Sequence, residues 1–162
     1  MRKIIIYSEN TKQTELLAKT LGNKIESPLI IGLIGELGSG KTLFTKGIAK
    51  GLEINNNITS PTFTLLNIYH GKYNLHHFDL YRIKDFNEFK SLSLLDFLFE
   101  NISIIEWFDK IEKSIKDVDI KIIFNIIDSN RRKIEFLFPA KNKKKNYKRL
   151  KEVLYEFSNN KT

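Results

Sequence analysis

The 162-residue chain has no cysteine, only three prolines, one methionine and one tryptophan. Without cysteine it can build no disulfide framework, thiolate nucleophile or Cys-type zinc site, which fits a reducing cytoplasm. No apolar run approaches the roughly 18 residues that a membrane span requires. The start, Met1-Arg2-Lys3-Ile4-Ile5-Ile6-Tyr7-Ser8, lacks the longer apolar core of a secretory signal and reads as a first strand. A soluble, cytoplasmic protein with no membrane partner is expected. The guanine-reading pattern N-K-x-D is also missing, which argues against a GTPase.

What is present is an ordinary globular composition, 41% hydrophobic and 28% charged, long enough for one domain with a core and too short for two. The net charge of +8 is unevenly spread: residues 140–162 account for +6 and the rest of the chain for only +2. A basic tail of this kind can track nucleic-acid phosphates or be a solvated helix, and abundant Lys, Asn and Ile also accompany an AT-rich coding bias. Residues 1–139 are expected to form the main domain. Residues 140–162 are expected as a basic C-terminal helix or tail, within that domain or appended to it.

The hydrophobic spacing alternates between strand and helix. Ile4 to Tyr7 is a short β-branched run, and Leu16, Leu17, Thr20 and Leu21 recur at helical spacing until Gly22. Leu29 to Ile34 is a continuous apolar run, as in a strand covered on both faces, and marks the central strand. A glycine-rich turn and a helical stripe ending near Gly51 follow. Phe63–Tyr69 with Tyr73–Leu80, and Ile120–Ile127 with Lys133–Phe138, read as two hairpins. Asp85–Phe99 reads as a helix, Ile102–Ile105 as a strand, and the segment from Lys141 through Phe157 as a final helix. This pattern predicts an α/β fold, a single P-loop NTPase-like domain with a central sheet flanked by helices.

Gly35-Glu36-Leu37-Gly38-Ser39-Gly40-Lys41-Thr42 matches the Walker A pattern at every required position, between a strand and a helix. Backbone N–H groups of such a loop wrap a polyphosphate, and side chains at Gly35, Gly38 and Gly40 would obstruct them. Lys41 brings a positive charge to the β and γ phosphates, and the helix N-terminus adds unpaired N–H groups. Thr42 offers a hydroxyl to Mg²⁺, the rest of whose octahedral shell comes from phosphate oxygens and water. The expected cofactors are thus ATP and Mg²⁺. A carboxylate at the end of a neighbouring strand is also needed, and two qualify: Asp79 after Leu75-His76-His77-Phe78, and Glu106 after Ile102-Ser103-Ile104-Ile105. Acidic residues at such places also serve as turn residues or helix caps. His70, His76 and His77 match no usual zinc spacing and read as core or turn residues. Trp107 reads as core or as a stacking residue beside the carboxylate. Thr59-Ser60-Pro61-Thr62 is either a turn or a nucleotide-sensing switch.

Four blocks in order, GELGSGKT at Gly35–Thr42, SPTFTL at Ser60–Leu65, HFDLYR at His77–Arg82 and IEW at Ile105–Trp107, resemble the TsaE (YjeE) ATPases of bacterial tRNA threonylcarbamoyladenosine synthesis. The match runs from about Ser8 to Phe138. The resemblance implies a mixed sheet, ATP hydrolysis, and assembly with the two related subunits that install threonylcarbamoyl on the adenosine beside the anticodon. It further implies that Thr42 and Glu106 serve Mg²⁺ and that Asp79 lies beside the γ-phosphate. By the same likeness Ser60–Thr62 is switch-like, Thr62 and Trp107 lie near the nucleotide, and Thr14 and Arg131 contribute to binding it. One departure is visible: the family commonly has Pro after the Glu-Trp pair, and this chain has Phe108. Two other functions share the loop. A small-molecule or nucleoside kinase would bring an arginine-rich lid, and Arg131-Arg132 is the only arginine pair here. A non-hydrolysing nucleotide-gated module would use ATP only to order Thr59–Thr62. The tail lysines, with Tyr147 stacking on a base, are the candidate tRNA contact.

Overall fold

The apolar run marked as the central strand, β2 (Leu29–Gly35), lies in the middle of a seven-stranded sheet in the computed structural model, which describes residues 2–26, 28–139 and 146–159. The other strands are β1 (Arg2–Ser8), β3 (Leu66–Tyr69), β4 (Leu75–Asp79), β5 (Ile102–Glu106), β6 (Ile120–Ile126) and β7 (Arg132–Phe138). Their spatial order is β1-β7-β6-β2-β5-β4-β3. Strands β6, β2, β5 and β4 run parallel, while β3 on one side and β7 with β1 on the other pair antiparallel. The sheet is therefore mixed. All five residues of β4 and all five of β5 are buried, as parallel strands covered on both faces must be.

Among the described residues, four α-helices cover this sheet: α1 (Thr11–Gly22), α2 (Lys41–Gly51), α3 (Phe86–Ser91) and α4 (Asn146–Asn159). The period-2 alternation of β2 divides the core. Leu29, Ile31 and Leu33 join a cluster with Leu17 of α1, Phe44 of α2 and Leu150 of α4, whereas Ile30 faces Phe78, Phe89 and Phe108 on the other side. Helices α1 and α2 pack very closely. A Cβ on Gly47 would lie 2.5 Å from the Cβ of Ala18 and 2.7 Å from the Glu15 carbonyl oxygen, so the absence of a side chain sets that approach. Among the described residues, no helix is long and apolar enough to cross a membrane.

Two expected elements and the stacking role considered for Tyr147 need correction. The helix expected over 85–99 ends at Ser91, and a 3-10 turn follows at Leu94–Phe97, after Ser93 in the left-handed region at φ 55°. Phe89 and Leu98, both fully buried, are nine residues apart, which is about two and a half helical turns. A continuous helix would point them in opposite directions, so the chain turns at Ser93 to bury both. The strand expected from Phe63 starts only at Leu66, because Thr62–Thr64 is a turn and Leu65 sits at φ 66°. The late helix is described only from Asn146; Lys141, Lys143, Lys144 and Lys145 lie outside the described residues. Its Tyr147 is buried, 7% exposed, donates to the Asp119 carbonyl oxygen at 2.8 Å and packs edge-on to Phe138. Tyr147 is a core residue and presents no face for a base.

Candidate functional site

The loop after β2 takes its shape from glycine conformations. Gly38 at φ 75° and Gly40 at φ 108° occupy the region that L side chains avoid, although a Cβ on either meets nothing within 4 Å. Backbone conformation, and not space within the protein, excludes a side chain there. Gly35 differs, since a Cβ would come within 2.7 Å of Ser39 Oγ and 2.8 Å of the Phe124 carbonyl oxygen. The turn delivers Gly40 as the residue before α2, so the unpaired N–H groups of that helix open onto the loop.

Lys41 leaves the first turn of α2 and folds back over the loop. Its Nζ donates to the carbonyl oxygens of Gly35 at 2.7 Å and Glu36 at 2.8 Å, and lies 3.9 Å from the centre of the Trp107 ring. Burial pushes its pKa down, and the nearby charges of Glu106, Asp79 and Asp109 oppose that shift. Beside it, Thr42 Oγ1 donates to Glu106 Oε2 at 3.0 Å. Glu106 ends β5 and Asp79 ends β4, and the parallel pairing sets the two residues opposite each other. Each carboxylate has its own donors. Asp79 Oδ2 accepts from Ser60 Oγ at 2.7 Å and Thr62 Oγ1 at 2.6 Å, while its Oδ1 accepts from the Tyr81 N–H at 2.9 Å. Glu106 holds Thr42 with one oxygen and His77 Nε2 with the other, at 2.8 Å.

One pocket of about 530 Å³ is lined by the loop from Leu37 to Leu43, Thr62, both carboxylates and Trp107. Its polar equipment is a cationic loop with a hydroxyl-carboxylate pair beside it, an arrangement suited to a polyphosphate and a hard cation. The oxygen donors of Thr42 and Glu106 already converge, which is the chemistry Mg²⁺ requires.

The family model described as threonylcarbamoyl adenosine biosynthesis protein TsaE matches residues 8–134. The chain belongs to the TsaE family. The tRNA threonylcarbamoyladenosine biosynthesis protein TsaE of Aquifex aeolicus is 37% identical over 137 residues, covering 83% of this chain and 94% of that protein. The protein of the same name from Treponema pallidum is 32% identical over 128 residues, covering 78% and 95%. The crystal structure of Bacillus subtilis YdiB superposes with a TM-score of 0.72 at 26% identity, over 98% of this chain and 95% of that one.

In this TsaE-family chain the pocket gathers Thr14, Leu37, Gly38, Ser39, Gly40, Lys41, Thr42, Thr62, Asp79, Glu106 and Trp107 from the residues expected from sequence. Gly35 and Glu36 sit beneath the loop and contribute the carbonyl oxygens that hold Lys41. Thr14 is buried and shares a 2.7 Å hydrogen bond with Ser8 Oγ. Arg131 is placed elsewhere: its side chain points out beside Asp128, with Nε 2.7 Å from Oδ2, and together with backbone N–H groups it lowers the Asp128 carboxyl to about 2. The pocket-lining arginine is its neighbour Arg132. Arg132 Nε donates to the Ser39 carbonyl oxygen at 3.1 Å and Nη2 to that of Gly38 at 3.2 Å, while Nη1 reaches Asp128 at 2.8 Å. One guanidinium thus ties the β6–β7 turn to the phosphate loop. The signal for it was in the sequence, because Arg132 shares its strand parity with the buried Ile134, Phe136 and Phe138.

Tyr81 also escaped the sequence reading; it lines the pocket with its ring centre 5.1 Å from that of Trp107. Phe108 is buried against Gly32, where a Cβ would lie 2.5 Å from its ring. A proline at 108 would confine the residue before it to extended backbone. With Phe108, Trp107 instead adopts φ 60°, ψ 40°.

Proposed function

We propose that this chain is a Mg²⁺-dependent ATPase that acts in the cytoplasm with the two related subunits of the threonylcarbamoyl-transfer complex, in modification of the tRNA adenosine next to the anticodon. The observation that carries the reading is the convergence of Lys41, the Thr42–Glu106 pair and Asp79 on one pocket at the phosphate loop. Family membership supplies the pathway.

In this reading the N–H groups of Gly38 to Thr42 and the Lys41 ammonium hold the phosphates, and Thr42 with Glu106 holds Mg²⁺. The ion, when bound, neutralises charge that develops on the β and γ oxygens. Lys41 leaves the Gly35 and Glu36 carbonyl oxygens for phosphate oxygens, a stronger pairing because both partners are charged. Asp79, with the hydroxyls of Ser60 and Thr62, forms the polar set beside the terminal phosphate that orients the attacking water. Those bonds also couple the 59–62 loop to the nucleotide, since a phosphate competing for one hydroxyl leaves the loop held to Asp79 by the other alone.

A titration with ATP and GTP, followed by phosphate-release measurements with and without the two partner subunits, tests this reading. Preferred ATP binding and turnover stimulated by the partners are expected. A protein that binds neither nucleotide, or binds ATP and neither hydrolyses it nor joins the subunits, refutes it.

A further inference from the structure

His77 is used by nothing described so far except as a neighbour of Glu106. It lies in β4 with no exposed surface, and its Nε2 is 2.8 Å from Glu106 Oε1. Its other ring nitrogen, Nδ1, is buried and has no hydrogen-bond partner among the described residues. Because a carboxylate only accepts, the ring donates to it through Nε2–H. Buried polar atoms are almost always paired, so a histidine kept for packing alone is poorly matched to this place. Among the described residues, the one polar contact the ring makes is to Glu106.

The sheet explains why that contact is available. Asp79 stands opposite Glu106 in the parallel register, and His77, two residues earlier, points to the same face as Asp79. His77 and Glu106 are therefore diagonal cross-strand neighbours, within reach of two long side chains. The carboxylate of Glu106 is consequently divided: Oε1 is held from the core by His77, and Oε2 faces Thr42 at 3.0 Å. A glutamate has three side-chain torsions, and a donor on one oxygen removes the last of that freedom from the other.

We propose that His77 is a positioning residue for the metal-nucleotide complex, fixing Glu106 so that Oε2 meets Thr42 at the place a divalent cation occupies. This rests on the assignment of Thr42 and Glu106 to Mg²⁺ made above. His77 touches neither phosphate nor metal; it acts through Glu106, as outer-shell partners of metal-binding carboxylates do.

The test compares the parent with His77→Leu, His77→Gln and His77→Asn, each checked for folding by circular dichroism. Gln can place an amide N–H near the position of Nε2, and Asn is too short to do so. Two quantities are measured: ATP affinity in excess EDTA, read from the fluorescence of Trp107, the chain's one tryptophan in the pocket wall, and Mn²⁺ affinity in the presence of ATP, read from the resonance of free Mn²⁺. His77→Leu is expected to weaken Mn²⁺ binding by about tenfold or more while ATP affinity in EDTA stays within about twofold. His77→Gln is expected to recover most of the loss and His77→Asn little of it. If His77→Leu does not fold, the Gln and Asn pair decides. Folded variants that bind Mn²⁺ as the parent does, or that lose ATP affinity equally in EDTA, overturn the proposal. A parent protein whose ATP binding draws in no metal at all overturns instead the assignment of Thr42 and Glu106.

Discussion

Replacing Lys41 by methionine separates what the loop does for nucleotide from what it does for stability. Lys41 is 4% exposed, and its ammonium is held by two carbonyl oxygens of its own loop. On the proposed function, contacts of the ammonium to the β and γ phosphates would be two charge-assisted hydrogen bonds, each worth about 1.5–3 kcal/mol. Because the ammonium gives up the Gly35 and Glu36 carbonyl oxygens to make them, their loss amounts to at most about 3–6 kcal/mol, with an upper limit of roughly a hundredfold to ten-thousandfold in ATP affinity. The nucleotide-free protein should respond differently. Burial is the largest influence on Lys41 and disfavours its charged form, while Glu106 and Asp79 only partly offset that. Methionine relieves the buried charge, gives up two modest hydrogen bonds, and fills nearly the same space. The net change in stability is expected within about 1 kcal/mol, or about 2–4 °C in melting temperature for a chain of this size. Calorimetric ATP titration and thermal melting of the same preparation measure both. Unchanged ATP affinity in Lys41→Met, or a melting temperature lowered by more than about 10 °C, would refute the reasoning.

The two adjacent arginines should behave oppositely in the same titration. Arg132→Ala removes the ties to Gly38 and Ser39 and is expected to lower ATP affinity by about tenfold, the equivalent of one charge-assisted bond at a partly exposed site, whereas Arg131→Ala should stay within about twofold. Gly47→Leu forces a side chain against Ala18 and the Glu15 carbonyl oxygen; a loss of about 3 kcal/mol, seen as a melting temperature lower by roughly 6–12 °C, is expected. Asp128 supplies a pH test. Its folded pKa, about 2, lies below its ordinary 3.8, so its stabilisation is complete above 3.8 and is lost as the pH falls toward 2. Asp128→Asn should accordingly flatten that part of the acid limb in a plot of denaturant midpoint against pH, and an identical limb would count against the Asp128–Arg131 pairing.

Patterns carried by neighbouring residues were legible at once. The Walker A spacing located the loop, the continuous run Leu29–Ile34 marked the buried central strand, and the ends of β4 and β5 presented the two carboxylates. Period-2 alternation would have selected Arg132 over Arg131 had it been followed past Ile134 toward the turn. The helix expected over 85–99 misled because a stripe of apolar residues records which side chains want burial, and the surrounding core decides where burial is offered.

By itself, then, the sequence determined the phosphate loop, the strand that leads into it and the helix that follows, because each is specified by residues within a few positions of one another. The tertiary structure alone decided that β5 lies between β2 and β4, which sets Asp79 opposite Glu106, brings Thr42 to Glu106 and leaves His77 as its diagonal partner. It also buried Tyr147 and put the Arg132 guanidinium against the loop. Strand order and register arise from pairings between distant segments, chosen by how well the whole core closes, and no local run of residues records that choice.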